Sequence, residues 1–132
     1  MKPAAFDYYA PATLEEALSL LEKYGDEAKI LAGGQSLMPL INMRLARPAV
    51  LVDINRISGL DFIREEDGSM AIGALARHAN VASSEVLKKG CPMLPHAAQF
   101  VGDVQVRSRG TFGGCIAHAD PAAEFGAVVY TL

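Results

Sequence analysis

The stretch Ala32-Gly33-Gly34-Gln35-Ser36-Leu37 constrains this chain more than any other. A short apolar run, Lys29-Ile30-Leu31, leads into it, and a second, Leu37 to Met43, leads out. Adjacent glycines allow positive φ and leave no Cβ between the backbone and a ligand. Ser36 is placed to cap a following helix, whose first amides have no partner within the helix. Pro39 falls in the first helical turn, where its missing N–H does no harm. The unit reads as strand, glycine turn, helix, and such a turn suits a phosphate. A second segment, Gly110-Thr111-Phe112-Gly113-Gly114-Cys115, reads as another glycine turn. Two such turns can face one diphosphate.

Around these turns the pattern alternates short strands and helices. Phe6 to Tyr9 reads as a strand stopped by Pro11. Thr13 and Glu16 form a capping box, and Leu14, Ala17, Leu18 and Leu21 share one helical face. Gly25 ends that helix. Ala49 to Ile54 is a β-branched run suited to a buried strand. Asp67-Gly68 between Phe62–Glu65 and Met70–Ala74 signals a hairpin. One helix is expected from about His78 to Lys89, with a Glu85–Lys89 pair, and a short one from Met93 to Val101. Residues 104–109 are polar at alternate positions and read as a loop carrying Arg107 and Arg109. Asp120 as N-cap with Pro121 at the first position starts a last helix. The sequence ends inside the apolar run Val128 to Leu132, which reads as a fragment of a longer polypeptide. A boundary near Arg56 to Gly59 divides a small α/β lobe, 1–56, from the start of a second, 57–132, truncated at its C-terminus.

Composition excludes several functions. The formal net charge is −3 and no basic run exceeds Lys88-Lys89, which argues against nucleic acid. Cys91 and Cys115 are far apart and assemble no iron–sulfur or zinc ligand set. No signal-peptide stretch and no run of transmembrane length is present, so the expected setting is a reducing cytoplasm. Hydrophobic residues make up 51% against 20% charged, which hints at surface buried around a cofactor or partner subunits.

G-x-G-x-x-G, G-x-x-x-x-G-K-[ST] and G-x-S-x-G are all absent. His78, His96 and His118 have no ligand spacing, so each reads as an ordinary surface or hydrogen-bonded histidine, and no metal site is expected. Thr111, Ser36 and Gln35 can donate to phosphate oxygens. Glu124, in the first turn of the last helix, can accept from sugar or ribityl hydroxyls; a solvated acid favoured at a helix start is the plainer alternative.

Three segments carry a family resemblance: Ile30 to Leu37, Gln105 to Gly114 and Ala117 to Glu124. Together they resemble the FAD-binding medium subunit of molybdenum hydroxylases, the carbon monoxide dehydrogenase and xanthine dehydrogenase group. The resemblance runs from Phe6 to the last residue. It implies an α+β architecture of α/β lobes, the FAD-binding fold of the vanillyl-alcohol-oxidase-like, CO dehydrogenase flavoprotein type, N-terminal part only. It also implies that FAD is the ligand of both turns. Ala32, Gly33, Gly34, Gln35, Ser36 and Leu37 would hold the pyrophosphate. Thr111, Gly113, Gly114 and Cys115 would form the second loop, Gly102 and Asp103 would approach the cofactor, and Glu124 would contact the flavin's hydroxylated chain. Phe112 and Cys115 depart from the residues common in the family.

By the same resemblance the chain is an oxidoreductase subunit with no catalytic residue of its own. Its partners would be a molybdopterin-binding large subunit and a [2Fe–2S] small subunit, and it would pass electrons to an external acceptor. Two other readings stand beside this one. A flavin-free scaffold docking partner subunits is the first, and colour discriminates it. A flavin oxidase acting alone would need its own substrate pocket.

Overall fold

The computed structural model describes residues 1–132. They divide into two compact units, Met1–Ser58 and Gly59–Leu132.

The first unit is a three-stranded parallel sheet with helices. Strands β1 (Asp7–Tyr9), β2 (Ala28–Leu31) and β3 (Val50–Asp53) lie in the order β1-β3-β2. Both outer strands pair in parallel with β3, Tyr8 opposite Leu51 and Ile30 opposite Val52. The central position explains the β-branched run, for Val50, Leu51 and Val52 are all buried.

Helix α1 (Leu14–Tyr24) crosses from β1 to β2. Thr13 Oγ1 accepts from the Glu16 amide at 3.2 Å, and the Glu16 carboxylate accepts from the Ala12 amide at 3.0 Å. The box therefore closes one residue earlier than the usual N-cap amide. Gly25 ends the helix at φ 51° and opens a single 3-10 turn, Gly25–Glu27. The helical face is narrower than its spacing suggests. Ala17 is buried and Leu21 half-buried, but Leu14 and Leu18 are 48% and 56% exposed. The helix packs chiefly on β2 and β3, with Tyr24 against Tyr9 of β1, and this contact leaves part of the stripe uncovered.

Helix α2 (Leu37–Asn42) follows the glycine turn and buries Ile41. Asp53, at the end of β3, receives the Tyr8 hydroxyl at 2.5 Å and the Asn55 amide at 2.9 Å. These bonds, with the charge of Arg56, outweigh the upward push of burial and hold the Asp53 carboxyl below the usual carboxylate range.

The second unit joins a hairpin to six helices. Strands β4 (Ile63–Glu66) and β5 (Ser69–Ile72) are antiparallel. Asp67 at φ 50° and Gly68 at φ 78° make the turn between them, both positive as a type I′ turn requires. The helices are α3 (His78–Ser83), α4 (Glu85–Gly90), α5 (Met93–Ala98), α6 (Val104–Arg109), α7 (Phe112–His118) and α8 (Glu124–Thr131).

Three expectations change here. The helix expected over 78–89 is two, because Ser84 leaves helical geometry to cap α4 through Leu87 N. The ion pair on α4 is Glu85–Lys88 at 2.6 Å, three residues apart rather than four. Residues 104–109 are helical, since Asp103 caps them by accepting from Val106 N at 2.8 Å. Arg107 and Arg109 therefore sit on a helix and not on a loop.

The core of the second unit gathers Ala76, Val81, Leu87, Leu94, Ala98 and Phe125. Phe125 is wholly buried, with Phe112 edge-on at 5.0 Å and the His78 ring at 5.2 Å. Burial of a phenylalanine of this kind is worth about 1.5–3 kcal/mol.

Candidate functional site

Residues 32–36 link the C-terminal end of β2 to α2. The segment is braced at its entry, where Ile54 N donates to Leu31 O at 3.1 Å and Asn55 Nδ2 to Ala32 O at 2.8 Å. It is braced inside by Gln35 Nε2, which donates to Gly33 O at 3.0 Å. Gly34 has φ 71°, and a Cβ built there would lie 3.1 Å from both Leu31 Cδ1 and Met38 Cγ. Helical hydrogen bonding begins with Met38 N donating to Gly34 O at 3.0 Å. The amides of Gly33, Gly34, Gln35 and Ser36 donate to no acceptor of the chain.

Ser36 does not cap α2. Its backbone is already near helical, at φ −103° and ψ −45°, and its side chain makes no cap bond. An N-cap needs an extended backbone to turn its oxygen back on the helix, and here the first helical bond is accepted two residues earlier, by Gly34. The hydroxyl of Ser36 is exposed beside the unpaired amides. Unpaired amides on a turn at the C-terminal end of a parallel strand fit the diphosphate of a dinucleotide.

The second diglycine segment is built otherwise. It is not a turn: Gly113, Gly114 and Cys115 lie within α7, and Thr111 is its N-cap. Residues 74–78 run antiparallel to 110–113, with Arg77 bridged to Thr111. This pairing takes the amides. Phe112 N donates to Ala76 O at 2.8 Å and Gly113 N to Ala74 O at 3.0 Å. Gly114 N donates to Thr111 Oγ1 at 3.2 Å and Cys115 N to Thr111 O at 3.0 Å. Thr111 is buried.

Both glycines are demanded by packing. A Cβ at Gly113 would lie 2.7 Å from Ala74 Cα, and one at Gly114 would lie 2.6 Å from Thr111 Oγ1. Gly102, at φ 47°, turns the chain into α6, and its neighbour Asp103 holds the cap just described.

Asp120 also departs from expectation. Its carboxylate accepts from Ala122 N at 2.9 Å and its carbonyl from Ala123 N at 3.0 Å, a local turn ahead of the helix. Helix α8 begins only at Glu124, with no side-chain cap. Glu124 is half-buried in its first turn, and its charge is felt by both Cys115 and His78. Burial first, and then Glu124, pushes the Cys115 thiol above its ordinary range, which makes it a poor nucleophile.

The sequence pattern marks His78 as an ordinary surface or hydrogen-bonded histidine. Instead it is buried against Phe125, and its Nδ1 has no hydrogen-bond partner. Burial lowers its pKa, partly opposed by Glu124 and assisted by Arg77. His78 follows Arg77, whose segment pairs with residues 110–113, and a Cβ at Gly110 would lie 2.6 Å from the ring. The Gly110 beside it was the only sequence signal of that closeness. Asp53 and Asn55, which brace the first turn, were also missed; Asp53 ends β3 and Asn55 follows it, and only the pairing of β3 with β2 brings them to the turn.

No group of three or more His, Cys, Asp or Glu is placed to hold a metal ion. No helix is long and apolar enough to cross a membrane.

Comparison with known proteins gives a consistent result. Residues 4–132 match the family described as the FAD binding domain in molybdopterin dehydrogenase. The chain is 52% identical, over 132 residues, to the 6-hydroxypseudooxynicotine dehydrogenase complex subunit alpha of Paenarthrobacter nicotinovorans, covering 100% of this chain and 45% of that protein. It is 45% identical to the caffeine dehydrogenase subunit beta of Pseudomonas sp. (strain CBB1), with the same coverage. In structure it is similar to carbon monoxide dehydrogenase from Hydrogenophaga pseudoflava, with a TM-score of 0.94 and 45% identity, covering 97% of this chain and 45% of that one. The chain thus spans about half the length of the relatives it matches. With that match over nearly every residue, the chain belongs to the family of FAD binding domains in molybdopterin dehydrogenase.

Proposed function

We propose that this chain is the cofactor-gripping part of the medium subunit of a molybdenum-containing hydroxylase. Electrons would arrive from [2Fe–2S] clusters of a small partner subunit, after chemistry at a molybdopterin site in a large one, and leave to an external acceptor. Bound FAD would supply the exchange between these donors and that acceptor. What supports the reading, besides family membership, is the row of unpaired amides on the 32–36 turn.

The chain's own part is to bind and orient. In the first unit Ala32 to Leu37 would take the diphosphate, with the Gly33, Gly34, Gln35 and Ser36 amides as donors and the Ser36 hydroxyl beside them. In the second unit, Gly102, Asp103, Thr111, Gly113, Gly114, Cys115 and Glu124 are the proposed cofactor-contact residues. Glu124 would accept from hydroxyl groups of the flavin's side chain. Because the amides of Phe112 to Cys115 are already engaged, α7 would contribute a side-chain-free surface at its glycines rather than hydrogen-bond donors. The units 1–58 and 59–132 are then two lobes of one flavin domain.

The test is the absorption spectrum of the intact purified protein. Flavin bands that survive gel filtration are expected, and their absence, with no uptake of added FAD, would refute the proposal. Relatives matched here are named as subunits or chains of larger complexes, which supports the partner reading.

A further inference from the structure

We propose that the first unit carries a second binding site, a cationic recess that takes a carboxylate-bearing segment of another polypeptide chain. The recess has a volume of about 560 Å³ and is lined by residues 2–6 together with Arg44 and Arg47. Residues 2–6 run into the start of β1, and Arg44 and Arg47 precede the start of β3. The strands are parallel, so the recess lies at the N-terminal edge of the sheet. The glycine turn leaves the C-terminal end of β2, at the opposite edge. The recess is therefore separate from the dinucleotide turn, and the proposal does not rest on the flavin reading.

Its charge is one-sided. Lys2, Arg44 and Arg47 line it and no carboxylate does, in a chain whose formal net charge is −3. The two ion pairs of the structure, Arg64–Glu66 and Lys88–Glu85, lie in the other unit. The guanidinium groups are also held in place. Arg44 donates through Nε to Lys2 O at 3.1 Å, and Arg47 through Nε to Arg44 O at 3.2 Å. Anchored by Nε, each keeps its two terminal NH2 groups for a carboxylate, which an arginine fork grips in two places. A donor fixed beforehand loses less freedom on binding.

Arg44 adds a second observation. It has φ 59° just after α2, a left-handed position usually filled by glycine or asparagine. The left-handed residue closes α2, with Arg44 N donating to Ile41 O at 3.0 Å and Leu45 N to Leu40 O at 2.9 Å, and this helix end brings Arg44 to the recess beside Lys2.

The occupant follows from the floor. Residues 3–6, Pro-Ala-Ala-Phe, are apolar and, Ala5 apart, half-buried, while Lys2, Arg44 and Arg47 are exposed at the rim. A small anion would leave the rim in water, where exposed pairs are weak. A polypeptide segment would cover the floor with apolar side chains and shield the pairs from water, which strengthens them.

The test uses the intact protein and a labelled peptide of alternating aspartate and leucine, in low salt. Its asparagine–leucine counterpart is the neutral control and inorganic phosphate the small-anion competitor. The acidic peptide is expected to bind at least about tenfold tighter than the neutral one. The Arg44→Asn, Arg47→Gln double variant should lose that preference while melting at the wild-type temperature, since asparagine tolerates the left-handed backbone. If the double variant unfolds, Arg47→Gln alone decides. Equal binding of the two peptides, unchanged binding by the folded variant, or displacement by phosphate at the peptide's own concentration would overturn the proposal. Flavin absorbance read on the same samples separates the two ideas: a colourless protein that prefers the acidic peptide refutes the flavin reading and supports this one.

Discussion

Asn55 Nδ2 donates to the carbonyl oxygen of Ala32 across 2.8 Å, tying the loop after β3 to the entry of the glycine turn. The same amide group donates to Asp53 Oδ1 at 2.6 Å, and Asp53 in turn accepts from Tyr8. The turn is thus braced across the sheet, from Tyr8 on β1 through the end of β3, and not by its own residues alone. Asn55→Ala removes both exposed bonds of the Asn55 side chain, of which the one to Ala32, worth about 1 kcal/mol, bears on the turn. The FAD dissociation constant of the intact protein should rise roughly fivefold. An unchanged constant would show that the turn holds its shape without the brace.

Gly34 and Gly113 make a matched pair of tests. Gly34→Val places a branched side chain at φ 71°, with neighbours 3.1 Å away. Left-handed backbone alone costs a non-glycine residue about 1–2 kcal/mol, so flavin occupancy should drop at least about tenfold. Wild-type flavin content in this variant would remove the turn from the proposed site.

Gly113→Ala acts on the fold instead. Its Cβ meets backbone at 2.7 Å, and crowding of that sort costs about 1–3 kcal/mol. The melting temperature of flavin-stripped protein should fall, because the clash is present without ligand. A loss of flavin with no change in that melting temperature would place the glycine's role at the cofactor.

His78 gives stability a pH dependence of definite sign. Its folded pKa is lowered, chiefly by burial, so the unfolded chain binds the proton more readily. No penalty exists above the unfolded value of about 6.5, and stability declines as pH falls below it. Urea unfolding from pH 8 to 5 should show the decline in wild type and a flatter profile in His78→Gln. Equal slopes would mean that the imidazole is not kept neutral by its surroundings.

Much of the first unit was legible, because its signals are local. Thr13, Glu16 and Gly25 bound α1, and the branched run of β3 suits a strand flanked on both sides. The width of the buried stripe was not, since which apolar residues meet the sheet depends on how α1 lies over β2 and β3, and Leu14 and Leu18 stay exposed. At Ser84 and Asp103 the side chain caps the next helix, and spacing of apolar residues is blind to such caps. The two diglycine segments are the sharpest case. As strings they look alike, yet one leaves its amides unpaired and the other gives them to Ala74, Ala76 and Thr111. That difference rests on a partner segment more than thirty residues upstream, which no local pattern contains. His78 was missed for the same reason: its burial is conferred by Phe125, from the last helix.

The order β1-β3-β2 has a consequence for how the protein is made. Neither outer strand touches the other, so the first two to leave the ribosome have nothing to pair with. Only when Val50 to Asp53 emerge can the ladder close, on both sides at once. The first unit should therefore condense late and in a single event, and nascent chains stalled before residue 50 should remain open to protease while those stalled well beyond it resist.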